Sequence, residues 1–63
     1  INMIVAMEFE ELYRKDGSHI DQGIVELRVR NFPPESVCKK KFYEIFGDVK
    51  SVGKLKIIGV VRK

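Results

Sequence analysis

Two sets of side chains in this 63-residue chain carry chemistry. The larger is basic: Lys39, Lys40 and Lys41 in a row, Lys54 and Lys56 further on, and Arg28 and Arg30 upstream, with Arg62 and Lys63 adding charge at the end. Ammonium and guanidinium groups on one surface bind phosphates by displacing condensed counterions, so these seven residues are the candidate nucleic-acid contacts. Successive helical residues fan out by about 100° each, so three adjacent lysines cannot all face one ligand. The competing reading is a solvated helix face followed by a basic tail. Arg28 and Arg30 alternate with apolar residues and point off one sheet face with Glu26. There they can grip phosphates or stack on bases, or pair across strands with Glu8 and Glu10, which is the preferred reading for these two.

The smaller set is His19, in the polar stretch Gly17-Ser18-His19, with Asp16 and Asp21 close enough in sequence to orient it. Such a histidine can act as a general base near neutral pH. The simpler reading is a solvated loop histidine without a role. Cys38 falls on an apolar stripe and reads as a small buried hydrophobe rather than a nucleophile. One cysteine and one histidine exclude an intramolecular disulfide and a four-ligand Cys/His zinc site. No Gly-rich phosphate loop, nucleophile elbow or paired-carboxylate metal pattern is present, so no cofactor is expected. Phe42 and Phe46 read as core, which leaves Tyr13, Tyr43 and Phe32 as the aromatics open to solvent.

The charge is unevenly spread. Residues 1–33 hold four Lys/Arg against six Asp/Glu, and residues 34–63 hold eight against three, giving −2 and +5 and the chain's +3. A basic half on a small domain points to an anionic partner. A chain this short buries only about 60% of its unfolded surface, so self-association is a route to added stability. The content of 44% apolar and 33% charged residues suits a folded soluble domain. No apolar run approaches the ~20 residues of a membrane span. Ile1–Met7 is short and lacks a basic lead, so it is not expected to be a signal peptide. An initial Ile is what a processed chain or a fragment would show. A single unpaired cysteine suits a reducing compartment, and a cytoplasmic location is expected.

Four elements must position these residues. Residues 3–14, MIVAMEFEELYR, alternate with period two, placing Val5, Met7, Phe9 and Tyr13 on one face, with Glu11 intruding, and Leu12 on the other. A helix with Gly17 after its end competes, and the strand is preferred. Residues 15–23 read as a polar loop and residues 24–32 as a strand with Val25, Leu27 and Val29 inward, forming a long hairpin around an eight- or nine-residue loop. Pro33-Pro34 ends that strand, and Pro34 opens a helix over 34–46 with Cys38, Phe42 and Ile45 on its apolar stripe, Val37 and Phe46 beside it, and Gly47 closing it. Lys54–Val61 is a strand bent at Gly59, with Val49–Val52 a short strand turned at Gly53. The continuous apolar end Ile57–Val61 suits burial on both faces or pairing across a dimer.

Residues 26–58 resemble the first half of an RNA-recognition motif. Leu27–Pro34 matches its strand with a short Asn-aromatic-Pro turn, and Tyr43–Val52 matches its Phe-Gly helix end and second strand. The resemblance implies RNA binding, while the aromatic-rich third strand that carries stacking in that fold has no counterpart here. Gly17-Ser18-His19 ahead of the Pro34–Gly47 helix is similar to the small, basic HicA-type mRNA-interferase toxins, which implies a catalytic His19. The segment IDQG at 20–23 lacks the aromatic and basic residues expected there.

The expected architecture is α+β, a small mainly antiparallel sheet in the order strand-strand-helix-strand packed on one amphipathic helix. The expected core is Val5, Met7, Phe9, Val25, Leu27, Val29, Cys38, Phe42, Ile45, Leu55 and Ile57. The expected function is non-enzymatic binding of RNA or DNA through Lys39, Lys40, Lys41, Lys54, Lys56, Arg28 and Arg30. The alternatives are a protein-interaction or homodimeric assembly domain, and a ribonuclease toxin using His19. No membrane partner is expected.

Overall fold

The computed structural model describes residues 3–31 and 34–62. Strand β1 spans Met3–Arg14, β2 His19–Val29, helix α1 Glu35–Phe46 and β3 Val49–Arg62. The fold is α+β. Its three-stranded sheet has the order β2-β1-β3, with β1 in the middle and antiparallel to both neighbours. The helix crosses one face and carries the chain from one edge strand to the other. Residues 3–14 are therefore strand: their alternating apolar face outweighs the helix-forming glutamates.

The buried core is Val5, Met7, Phe9, Leu12, Leu27, Val29, Cys38 and Phe42. Val25, Leu55 and Ile57 pack against it, half-buried. Leu12, placed outward by simple alternation, is fully buried, and Tyr13 is 43% exposed. The cause is Glu11, which has φ 52° and so lies in the left-handed region. That twist moves the inward face of β1 from Phe9 to Leu12. Its neighbours follow, from Val25 to Ile20 on β2 and from Leu55 to Val52 on β3. Gly53 makes room for the crossing: a Cβ there would lie 3.1 Å from Glu11 Oε2 and 3.2 Å from Glu11 Cβ.

The hairpin loop is shorter than its polarity suggests. It covers only Lys15–Ser18, and His19–Gly23 belong to β2. Asp16 Oδ1 accepts hydrogen bonds from the Ser18 N–H at 2.8 Å and the Ser18 hydroxyl at 2.6 Å, and Gly17 takes φ 92°. This Asx-type turn closes the hairpin locally, so no long loop is needed. β2 ends at Val29; Phe32 and Pro33 lie outside the described residues.

Pro34 immediately precedes α1, and Gly47 ends it with φ 71° and its N–H donated to the Tyr43 carbonyl at 2.8 Å. The inward row is Cys38, Phe42 and Phe46, at i, i+4 and i+8. Ile45, expected in the core, is 54% exposed because Phe46 takes its place against the sheet. Phe9, Phe42 and Phe46 form one aromatic cluster, with centroids 4.8–5.5 Å apart. β3 is one strand rather than two. Its register against β1 shifts twice, leaving Lys50 and Ile58 without direct partners. Ile58, Val60 and Val61 are exposed, so the apolar end of this strand is not buried on both faces.

Candidate nucleic-acid interface

Strand alternation decides where the basic side chains go. Phe9 and Leu55 face the helix, so Glu8, Glu10, Lys54 and Lys56 face the opposite side. Lys56 Nζ lies 3.8 Å from Glu8, and Lys54 Nζ 4.0 Å from Glu10. These lysines take the acids expected to pair with Arg28 and Arg30. The register explains it: on β2, Glu8 faces Ile24 and Glu10 faces Gln22, while Arg28 faces Ile4 and Arg30 lies beyond the strand. Lys39 is matched within the helix by Glu35, 4.0 Å away and one turn earlier.

The seven basic residues therefore do not share one surface. Lys54 and Lys56 occupy the sheet face away from the helix, and Lys39, Lys40 and Lys41 fan around α1. Among the described residues, Lys15, Arg28, Arg30, Lys40, Lys41, Lys50 and Arg62 have no carboxylate within 4.0 Å. Arg62 faces Met3, which on its other side faces Val29. Arg28 and Arg62 thus lie at the same end of the sheet but on opposite faces, Arg62 level with Met3 and Val29 on the helix side and Arg28 level with Ile4 on the other, and Arg30 follows just past the end of β2. Arg62 was legible only as tail charge, because nothing in the sequence tells which strand ends meet.

A shallow groove of about 290 Å³ runs between β2 and α1, lined by Glu26, Leu27 and Arg28 on the strand and Lys41, Glu44 and Ile45 on the helix. Its charges alternate in sign on both walls. Glu26, Glu44 and Ile45 were not singled out as functional; the signal was opposite charges flanking Leu27, beside a helix residue left out of the core.

His19 opens β2 rather than sitting in a loop. Its Nε2 is 2.6 Å from Asp21 Oδ1, and its ring stacks on Tyr13 with centroids 4.9 Å apart. Asp16 bonds Ser18 instead. His19, Asp21 and Tyr13 are all exposed, so nothing there excludes water from a reacting atom. Tyr43 is exposed as expected, and Phe32 lies outside the described residues. Cys38 is buried, and desolvation, aided by Glu35, pushes its thiol above the usual value, which suits an inert core thiol.

Near the hairpin turn, Arg14 sits over the Phe46 ring at 5.7 Å and 3.9 Å from Asp48, and the Lys15 N–H donates to the Asp48 carbonyl at 2.9 Å. These contacts tie the hairpin to the start of β3. Among the described residues no group of three His, Cys, Asp or Glu side chains could hold a metal ion, and no helix is long and apolar enough to cross a membrane. Comparison of the chain with models of protein families, with curated proteins and with solved structures finds no match.

Proposed function

We propose that this protein is a small non-enzymatic nucleic-acid-binding module whose phosphate contacts come from Arg28, Arg30, Lys40, Lys41 and Arg62. The observation that carries this reading is the separation of matched from unmatched cations. Lys39, Lys54 and Lys56 each lie 3.8–4.0 Å from a carboxylate that offsets part of their charge, whereas these five have no such neighbour among the described residues. Arginine suits the role because its planar fork meets phosphate oxygens with two hydrogen bonds.

The test is fluorescence anisotropy of labelled single-stranded RNA, double-stranded RNA and duplex DNA across a range of salt. Five phosphate contacts give a slope of log K against log salt of about −3.5 for single strands and about −4.5 for duplex DNA. Neutralising Arg30 and Arg62 together to glutamine should weaken binding about tenfold, while neutralising Lys54 and Lys56 together to glutamine should weaken it less. Binding that ignores salt, or that follows Lys54 and Lys56 instead, sinks the proposal.

A second reading, a protein-association domain, is favoured by one observation: among the described residues both outer strands leave a backbone edge unpaired.

A further inference from the structure

The two open edges are not equivalent. β3 carries Lys50, Lys54 and Lys56, two glycines, and two interruptions of register. Lysines and bulges on an outer strand are the devices that discourage a further strand from pairing there. β2 has none of them. Its sequence HIDQGIVELRV contains no lysine and no proline, and from His19 to Val29 its register with β1 does not shift, with a single gap where Asp21 lies opposite Glu11. The groove lies against this strand and is centred on Leu27.

We infer that the occupant of this edge is a second copy of the chain, paired antiparallel through β2 about a two-fold axis at Leu27. The charge pattern selects this partner and this register. An axis at Leu27 sets Glu26 against Arg28 of the second copy and Arg28 against its Glu26, so both cross-strand pairs join opposite charges. Val25 then faces Val29 of the second copy. The other wall of the groove obeys the same rule. Lys41 and Glu44 are opposite in sign and three residues apart on α1, and a two-fold axis reverses the helix, turning each toward the other's counterpart. Ile45, exposed beside them, gains apolar cover. A symmetric dimer interface must be complementary to itself, and both walls are. The product is a continuous six-stranded antiparallel sheet with two helices on one face. This inference gives the association reading its partner; in the dimer Arg28 and Lys41 meet acids of the second copy, which leaves Arg30, Lys40 and Arg62 for phosphate.

The experiment is sedimentation equilibrium of the whole chain from low to high micromolar concentration, without nucleic acid. The apparent mass should rise toward twice the monomer value. Glu26→Arg and Arg28→Glu each set like charges against each other and should each weaken self-association at least tenfold. Both positions are exposed, and circular dichroism checks that each variant folds. In an equimolar mixture of the two variants, one copy presents two guanidinium groups at these positions and the other presents two carboxylates. Every cross-strand pair between unlike copies then joins opposite charges, so the mixture should form a heterodimer at the wild-type concentration. A wild-type chain that stays monomeric overturns the inference, as do reversal variants that associate like wild type or a mixture that stays monomeric. Nucleic-acid binding is read separately on the wild-type chain: a chain that binds but stays monomeric overturns this inference alone, and one that dimerises without binding overturns the nucleic-acid reading alone.

Discussion

Glu11 and Gly23 show how much of this sheet depends on single positions. At Glu11 the backbone is left-handed, which costs a residue with a Cβ about 1–2 kcal/mol, and a β-branched side chain more readily clashes there. Glu11 already bears that cost, so Glu11→Val adds only the β-branched clash and should destabilise by about 1 kcal/mol in urea unfolding although the side chain is exposed, while Glu11→Asn should be neutral or slightly stabilising. Gly23 faces Phe9 across β1 and β2, and a Cβ there would meet the ring at 2.6 Å. Phe42 and Phe46 hem that ring in, so it has nowhere to retreat. Gly23→Ala should cost about 1–3 kcal/mol, read by thermal or urea unfolding. At the turn, the hydroxyl and then the N–H of Ser18 hold the Asp16 carboxyl below the usual value. A folded pKa below the unfolded one makes the contribution present above the ordinary carboxylate range and lost as pH falls through the depressed value. NMR titration of Asp16 should move toward the ordinary value in Ser18→Ala.

At the scale of elements, helix α1 divides its apolar residues between two tasks. Phe42 is fully buried, and Phe42→Ala should cost about 3–5 kcal/mol, whereas Ile45→Ser should leave the stability of the isolated monomer nearly unchanged. Both are measured by chemical unfolding at low protein concentration. Cys38 should react with thiol reagents far more slowly in the native chain than in denaturant, and acceleration should track global opening. Much of this layer was legible beforehand. Period-two alternation marked β1 and the Val25–Val29 part of β2, and Pro34 and Gly47 bracketed the helix. What alternation hides is a change of face: nothing in Glu10-Glu11-Leu12 announces a left-handed residue, so Leu12 and Tyr13 were exchanged. The choice between Ile45 and Phe46 for the inward row was likewise invisible, because both fit a helical stripe and only the sheet beneath decides. His19–Gly23 read as loop because an edge strand can be polar on both faces.

At the scale of the whole molecule, the long axis is 38 Å and the twelve-residue helix is about 18 Å long, so the helix roofs only part of the sheet. Amide hydrogen exchange should be slowest in β1 around Val5–Phe9 and fastest at the outer strand ends, where Ile58, Val60 and Val61 are exposed. The candidate binding residues were legible by type but not by arrangement. A run such as Lys39-Lys40-Lys41 advertises charge in one dimension. Which lysines meet an acid depends on the β1–β3 register, and of its two irregularities the one beside Gly59 was signalled by that glycine while the one opposite Tyr13 and Arg14 was not.

The pairing of Met3 with Arg62 has a further consequence. It brings the two ends of the described chain side by side, about 5 Å apart on adjacent strands. A short linker can therefore close the chain into a circle, and new ends can be cut in the exposed Lys15–Ser18 turn without removing any strand pairing. In such a permuted chain β2 would lead, the helix and β3 would follow, and the central strand would be added last. The sheet would be assembled from its margins inward, with the same side chains meeting in the same core.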